Sequence, residues 1–245
     1  MQKYISLLLL LTLFSCAIER PSGTTEAEVL FKEAQELMAD KRYILATEKL
    51  NTLRSQYPYS YYATSAELLQ ADILFIQENY EEAAAAYILF KDFHPKSNKM
   101  DYVMYKIAES YYQQVPPTFD RDLQPAVKAI NYYNELRSLF PNSELLKDAN
   151  EKINLCEKML VDKEKYIADF YYKTEDYESA KFRYGNILKE ISNKELRSHA
   201  VLRMLLIGEK LDDSVICRDV YSRYKSDLLE KQSKEANSVY LSCLK

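Results

Sequence analysis

The sequence predicts an all-α fold, an α-solenoid of about five stacked helix pairs. The first observation is compositional: the 245 residues include three glycines, no tryptophan and 22 tyrosines, in a largely uninterrupted helical pattern. The second is that no stretch alternates apolar and polar residues between turn signals, as a sheet would require. The third is a short pattern that returns at a fixed interval between residues 34 and 141, which is typical of stacked supersecondary units.

The repeating pattern consists of two small residues, a bulky residue and a proline. The small residues lie twelve positions apart in the first two copies and 21 apart in the third, which carries nine extra residues. The bulky residue lies four positions after the second small residue, and the proline lies twelve positions after the same small residue. The three copies are Ala34, Ala46, Leu50 and Pro58; Ala71, Ala83, Tyr87 and Pro95; and Ala108, Ala129, Tyr133 and Pro141.

Each copy has a physical interpretation as a pair of helices. Small residues let two helix backbones approach closely, and the bulky residue one turn later fills the remaining gap. Proline ends the second helix, and the serine two residues later is able to cap the next one. The spacing resembles the tetratricopeptide repeat, a helix–turn–helix of about 34 residues. A fourth copy is predicted at Ala168, Ala180 and Tyr184, with Ser192 in place of the proline. A fifth, degraded copy is predicted at Leu205, Cys217 and Tyr221.

The first 16 residues have the composition of a secretory signal. Lys3 supplies a positive charge, and the apolar run over residues 5–14 is too short to span a bilayer. The run ends in Leu13-Phe14-Ser15-Cys16, which resembles a bacterial lipobox, so we expect residues 1–15 to be removed and Cys16 to be lipidated. Residues 16–25 would then form a flexible tether, and Ala17 favours sorting to the outer membrane. The alternative is an ordinary signal peptide with an incidental cysteine.

Helical periodicity and turn signals predict eleven helices. The most distinctive covers residues 143–173, which contain neither proline nor glycine and carry a heptad-like apolar series. We predict one long helix that joins N-terminal repeats, residues 26–142, to a C-terminal half, residues 143–245; the alternative is a break near Asp162. An extended loop is expected at 113–124, because Pro116 and Pro117 end the helix before it. The predicted ranges are 26–39, 42–56, 60–77, 80–93, 100–114, 122–139, 143–173, 177–190, 194–210, 213–225 and 230–243.

A peptide-binding groove is predicted on the first helix of each of the first three pairs. Positions −6, −3, +1 and +4 from the first small residue form a stripe that would face the concave side of the stack. In the first three pairs the stripe combines aromatic and aliphatic side chains with acidic or amide groups, which suits an extended peptide with aromatic side chains. The alternative is that these aromatics fill the core between repeats. The predicted groove residues are Phe31, Met38, Leu68, Asp72, Phe75, Tyr102, Tyr105, Glu109 and Tyr112, with Glu28, Gln35 and Ser65 as polar members of the same stripe.

Composition and motifs argue against catalysis, metal binding and nucleic-acid binding. A formal charge of −4 without a basic cluster does not fit a nucleic-acid surface. The three glycines cannot build a phosphate loop, and His94 and His199 belong to no spaced ligand set. We therefore expect no enzymatic activity, cofactor, metal or small-molecule substrate. Cys156, Cys217 and Cys243 are odd in number, so at least one is unpaired; Cys156 should be buried, and a Cys217–Cys243 bridge is one possibility.

Together these features resemble the BamD family of lipoproteins. The resemblance covers residues 16–192 and is most specific between residues 120 and 183. That part includes Asp120-Arg121-Asp122, Leu139-Phe140-Pro141-Asn142-Ser143 and Ile167-Ala168-Asp169-Phe170-Tyr171-Tyr172. Two departures exist: Ser192 stands where the family has tyrosine–proline, and residues 193–245 match only as helices.

The resemblance implies a non-enzymatic component of the machinery that assembles β-barrel proteins, anchored in the outer membrane and facing the periplasm. The N-terminal repeats would bind unfolded outer-membrane proteins, whose C-terminal signal ends in an aromatic residue. The C-terminal half would dock a BamA-like barrel subunit, with Arg183 at the position of a family arginine and paired with a partner carboxylate. Arg121 and Asp122 match a loop motif and are expected to brace the insertion. The alternative function is a repeat lipoprotein that acts as a scaffold for cell-wall or secretion machinery.

Overall fold

The computed structural model describes residues 20–245, and this part of the chain is all-α. Eleven α-helices and one 3-10 turn, Lys225–Asp227, occupy the range, and no residue within it forms a strand. None of these helices combines the length and the hydropathy needed to cross a bilayer. The helices are α1 (Glu26–Ala39), α2 (Tyr43–Gln56), α3 (Tyr61–Ile76), α4 (Tyr80–Phe93), α5 (Met100–Tyr112), α6 (Gln124–Leu139), α7 (Leu146–Lys173), α8 (Tyr177–Glu190), α9 (Lys194–Lys210), α10 (Ser214–Tyr224) and α11 (Glu230–Cys243).

The predicted all-α repeat fold is confirmed for these residues, and every helix bound lies within three residues of its predicted position. The predicted signal peptide and Cys16 lie outside the described residues.

The small residues of the repeat are buried at the contacts between helices. All eight alanines of the first four copies have no exposed surface, and neither do the bulky residues that follow them. Leu205 and Cys217, the pair predicted for the degraded fifth copy, are also completely buried. The pattern therefore marks five helix pairs, and α11 packs as an additional helix against α9 and α10.

A left-handed residue ends the first helix in four of the five pairs. Lys41, Glu78, Glu175 and Asp212 have φ between 52° and 63°, and each lies seven positions after the first small residue. The following N–H donates to a carbonyl five positions earlier, as from Arg42 to Leu37 at 2.8 Å, which is a Schellman cap. In the third pair the insertion replaces this turn. The short turn within a pair is therefore a backbone feature that does not depend on glycine.

The Pro-x-Ser segments form one recurring turn between pairs. Tyr57, His94 and Phe140, which precede the prolines, share φ between −130° and −125° and ψ between 51° and 64°. In each case the N–H of the serine three positions later donates to the carbonyl of that residue, at 2.9–3.0 Å. The capping role predicted for the serine is confirmed at Ser60, whose hydroxyl accepts the N–H of Tyr62 at the start of α3.

Helix α7 is continuous over 28 residues, which excludes the alternative break near Asp162. It begins three residues later than predicted, because residues 143–145 complete the turn after Pro141. The insertion before α6 packs on α7: the ring of Phe119 lies 5.6 Å from that of Tyr166. Lys163 Nζ also donates to the backbone carbonyl of Arg121 at 2.6 Å.

The expected bracing role of the loop motif is divided between a side chain and a backbone group. The carboxylate of Asp122 accepts the N–H of Gln124 at 3.0 Å, at the start of α6. Arg121 contributes its carbonyl to Lys163, whereas its exposed guanidinium forms no ion pair with any residue between 20 and 245. The loop is therefore held by Asp122 and by the main chain of Arg121.

The chain divides into two compact units, one ending at Val103 and the other beginning at Met104. In the second unit the main core joins α7 to α11, and a smaller cluster of Leu123, Ala126 and Cys156 lies under the insertion. A disulfide joins Cys217 of α10 to Cys243 of α11, which confirms that pairing, and Cys156 is buried and free. The functional division at residues 142 and 143 stays a prediction.

Candidate functional site

A cleft of about 700 Å³ lies between α1, α3 and the turn after α4 in the first unit. Five members of the predicted groove stripe line it, because α1 and α3 are the first helices of adjacent pairs. They are Phe31, Gln35, Ser65, Leu68 and Asp72. These five side chains therefore share one concave surface in the first unit, and their role in peptide binding stays a prediction.

Sequence reasoning missed the opposite wall of this cleft, which comes from the end of α4 and residues 94–99. Phe93 contributes an aromatic ring that is 70% exposed, and Lys96 and Lys99 contribute positive charge. Neither lysine forms an ion pair within the described chain. The Pro-x-Ser segments contained a signal for this positive charge: Pro95-Lys96-Ser97 carries a lysine where the other two copies have Tyr59 and Asn142.

Asp72, a predicted groove residue, is held at the edge of this cleft by two tyrosines. Its carboxylate accepts hydrogen bonds from the hydroxyls of Tyr87 at 2.5 Å and Tyr102 at 2.7 Å. Burial, followed by the nearby Asp72 charge, raises the pKa of both phenols, so they remain protonated donors. Asp72 therefore fastens three helices together in addition to lining the cleft.

Two predicted groove residues of the first unit pack away from the cleft lining. Met38 contacts the core cluster of the first helix pair, and the ring of Phe75 lies 5.2 Å from that of Tyr80. Met38 thus follows the core-filling alternative, and so does Phe31, which packs against the same cluster while it also lines the cleft. Any role of these side chains in peptide binding stays a prediction.

In the second unit, the predicted groove residues Tyr105, Glu109 and Tyr112 converge on Lys152 of α7. Lys152 Nζ lies 2.5 Å from Glu109 Oε2 and 3.0 Å from the hydroxyl of Tyr105. The same ammonium lies 5.4 Å and 5.3 Å from the ring centroids of Tyr105 and Tyr112, within cation–π range. Lys152 was missed because the apolar stripe alone was used to interpret α7.

Glu109 is ionised within this cluster although it is only 6% exposed. Burial raises the pKa of its carboxyl, but hydrogen bonds from Lys152, Tyr133 and Gln113 lower it more, so the pKa falls below its usual value. The Tyr133 hydroxyl donates to Glu109 at 2.6 Å. The predicted acidic group of the third pair is therefore neutralised by its own neighbours.

Both histidines are paired with carboxylates. His94 Nε2 lies 2.6 Å from Glu67 in the first unit, and His199 Nε2 lies 2.6 Å from Asp169 in the second. Asp169 also accepts a hydrogen bond of 2.5 Å from Tyr184. Across residues 20–245, no group of three or more potential ligands could hold a metal ion. The contacts of the histidines are thus those of structural residues.

Arg183 lies half-buried on α8, in a shallow cleft of about 350 Å³ beside Tyr171 and Phe182. Its guanidinium forms no ion pair with any other residue of the described range. Phe182 is 64% exposed and adjoins the guanidinium of Arg183; the carboxylate of Glu178 lines the same cleft and pairs with Lys181. The pairing of Arg183 with a partner carboxylate stays a prediction.

Comparison with known proteins places the chain in a family. The family model of YfiO, an outer membrane lipoprotein, matches residues 24–231, beyond residue 192 where the resemblance in the sequence ended. The chain is 29% identical over 203 residues to the outer membrane protein assembly factor BamD of Rickettsia prowazekii, covering 81% of this chain and 79% of the relative. It is 26% identical over 201 residues to BamD of Neisseria gonorrhoeae, with coverage of 78% and 75%. It is also 26% identical over 208 residues to BamD of Vibrio cholerae, with coverage of 79% and 85%. The chain therefore belongs to the YfiO family of outer membrane lipoproteins, in agreement with its resemblance to BamD.

Proposed function

We propose that this protein is a non-enzymatic component of the machinery that assembles β-barrel proteins in the outer membrane. The observation that carries the proposal is the family match over residues 24–231, whose relatives are named as outer membrane protein assembly factors. The protein is anchored by a lipid on Cys16 and faces the periplasm. It binds unfolded outer-membrane proteins and docks a BamA-like barrel subunit.

The cleft of the first unit is the binding site for the C-terminal end of an unfolded substrate. Phe31, Leu68 and Phe93 offer apolar surface to an aromatic side chain. Lys96 and Lys99 lie on the same cleft, so a terminal carboxylate is attracted to the charge next to the apolar lining. This combination supports recognition of a chain that ends in an aromatic residue.

Docking of the barrel subunit uses the exposed surface around Arg183. A guanidinium forms paired hydrogen bonds with a carboxylate, and Phe182 supplies adjoining apolar area that a partner would bury. When such an arginine–carboxylate pair is desolvated at an interface, truncating the arginine lowers the binding free energy more than removing a charge at the rim does.

Peptide binding tests the substrate cleft. The probe is a fluorescent ten-residue peptide that ends in phenylalanine, measured against its C-terminal amide with the full-length mature protein in detergent. We expect tighter binding of the free acid, a loss of about tenfold in Phe93→Gln, and no preference for the acid in the Lys96→Glu/Lys99→Glu variant. Leu139→Gln is the matched control, because Leu139 occupies the equivalent position of the third pair and is 59% exposed. Equal affinity in Phe93→Gln and wild type would contradict the assignment.

Depletion and co-purification test the wider function. Depletion of the protein should lower the level of outer-membrane barrel proteins, and solubilised protein should retain a BamA-like subunit. Arg183→Glu should lose that subunit, whereas Lys189→Glu, an exposed lysine at the end of the same helix, should retain it. Normal barrel levels after depletion would instead favour a scaffold for cell-wall or secretion machinery.

A further inference from the structure

A cleft of about 780 Å³ on the second unit shares no residue with either surface assigned above. It runs between residues 154–165, in the middle of α7, and residues 190–196, which extend from the end of α8 to the first turn of α9. We call it the acidic cleft. Nothing in the proposed function uses it.

The floor of the acidic cleft is apolar and fixed by the cores beneath it. Leu196 is 2% exposed and belongs to the main core of the second unit, against which Val161 and Ile191 pack. Leu160 packs against the smaller cluster under the insertion. Because these side chains are held from below, the floor exists before any ligand arrives.

One wall of the cleft is the connection from α8 to α9, which departs from the recurring Pro-x-Ser turn. Ile191 is extended, with φ −104° and ψ 127°, and Ser192 replaces the proline. Arg197 braces this connection: its Nη1 donates to the carbonyls of Leu188 at 2.5 Å and Ile191 at 3.0 Å. These hydrogen bonds hold the wall in place before a ligand binds, which lowers the entropic cost of binding.

The rim of the acidic cleft carries an excess of unpaired negative charge. None of its five carboxylates forms an ion pair or hydrogen bond with a side chain or backbone group of the described chain. The carboxylates are those of Glu157, Asp162, Glu164, Glu190 and Glu195. Of the two lysines on the cleft, Lys165 is engaged with Asp169 at 2.5 Å, so Lys158 alone offsets the rim.

We propose that the acidic cleft binds an extended basic segment of a partner protein, in which lysines or arginines flank one aliphatic or aromatic side chain. The apolar floor receives the anchor, and the rim carboxylates pair with the flanking cations. An acidic or neutral segment would leave the carboxylates desolvated without partners, which is unfavourable. The occupant is thus opposite in charge to the carboxylate-bearing partner proposed for Arg183.

The test is fluorescence anisotropy with the full-length mature protein in detergent. The probe is a fluorescein-labelled Lys-Lys-Leu-Phe-Lys-Lys peptide, compared with Glu-Glu-Leu-Phe-Glu-Glu. We expect binding of the basic peptide only, weakened as salt is raised, and at least about tenfold weaker binding in Glu157→Lys/Glu190→Lys. The control is Glu230→Lys/Glu235→Lys, which makes the same change of charge at two exposed glutamates of α11 and should bind like wild type.

Two further measurements separate the cleft from general electrostatic attraction. A peptide with glycines in place of Leu-Phe should bind more weakly, because it lacks the anchor for the floor. A photo-crosslinker at the phenylalanine position should label residues 154–165 or 190–196. Absence of binding to wild type, an equal loss in both double variants, or labelling elsewhere would each overturn the proposal.

Discussion

The hydroxyl of Tyr184 donates a hydrogen bond of 2.5 Å to the carboxylate of Asp169, from the second helix of a pair to the first. The carboxylate directly follows the first small residue of the repeat, and the tyrosine lies four positions after the second. The equivalent bonds join Tyr87 to Asp72 at 2.5 Å and Tyr133 to Glu109 at 2.6 Å. A polar link thus fastens three of the five pairs beside the contact between their alanines.

Removing one of these hydroxyls should destabilise the protein without changing its fold. In Tyr184→Phe the half-buried carboxylate of Asp169 loses one donor, and we expect the free energy of unfolding of the second unit to fall by about 1–2 kcal/mol. Urea denaturation monitored by circular dichroism measures the change. Tyr59→Phe is the control, since Tyr59 is fully exposed, and it should change stability by less than about 0.5 kcal/mol. Equal effects of the two substitutions would show that the link contributes nothing.

The fold was predictable because its repeating residues act through local sterics. An alanine at a helix contact and a proline at a helix end have the same effect in every copy, as Ala71 and Pro95 illustrate. The late start of α7 shows the limit of this reasoning. Residues 143–145 were compatible with helix, and the turn after Pro141 determined their conformation.

The candidate site was less predictable because side-chain partners depend on packing across several helices. Spacing along one helix placed Asp72 and Glu109 on a common stripe, but it could not show that a tyrosine from the next helix binds each carboxylate. The signal was present in the alignment of copies. The second, third and fourth copies each carry a carboxylate after the first small residue and a tyrosine four positions after the second. Only the first pair has neither the carboxylate nor the tyrosine, because Gln35 and Leu50 occupy these positions. Lys152, which reaches Glu109 from a different pair, leaves no such pattern.

Glycine at a left-handed position should stabilise the protein. Glu175 has φ 61° in the Schellman cap after α7, a conformation that is unfavourable for residues with a Cβ. We expect Glu175→Gly to raise the free energy of unfolding by up to about 1 kcal/mol. The same substitution at Glu178, in the first turn of α8, should lower it by a similar amount, because glycine is a poor helix former. Destabilisation by both would mean that the cap is not strained.

The ion pair of Glu109 should make stability depend on pH in the acid range. The folded pKa of Glu109 lies below the ordinary 4.5, because hydrogen bonds from Lys152 and Tyr133 outweigh the effect of burial. The ionised form therefore stabilises the fold above about pH 4.5, and this contribution is lost as the pH falls through the lower folded pKa. Glu109→Gln cannot ionise, so its deficit in stability should be largest at pH 7 and shrink toward about pH 3. Glu235→Gln, at an exposed position of α11, should show no such trend.

Reduction of the disulfide should loosen the C-terminal helices. Cys217 and Cys243 close a loop with a sequence separation of 26, and a cross-link of this length stabilises a fold by about 3 kcal/mol. We expect the Cys217→Ser/Cys243→Ser variant to unfold at a lower denaturant concentration, which corresponds to a free energy of unfolding lower by about 3 kcal/mol. Dithiothreitol should have the same effect on wild type and none on the variant.

Free Cys156, whose pKa burial raises to about 11, should react with a thiol reagent only after unfolding.

Two glycine-to-alanine substitutions should have opposite effects on stability. A Cβ at Gly208 of α9 would lie 2.5 Å from Cys217 Sγ and 3.4 Å from Cys243 Sγ, so the disulfide leaves no room for it. At Gly185 of α8 a Cβ would meet nothing within 4 Å. We expect Gly208→Ala to lower the free energy of unfolding by about 1–3 kcal/mol through overpacking, and Gly185→Ala to raise it by up to about 1 kcal/mol through helix propensity.

A double-mutant cycle identifies which atoms cause the loss of stability in Gly208→Ala. If the sulfur atoms of the bridge are what a Cβ would displace, the cost of Gly208→Ala should shrink in the Cys217→Ser/Cys243→Ser background, where unlinked side chains are free to move aside. Gly185→Ala should keep its full effect in that background, because it contacts neither cysteine. An unchanged cost at Gly208 would assign the strain to the backbone carbonyl of Asp213, whose oxygen would lie 3.2 Å from the new methyl group, and not to the disulfide.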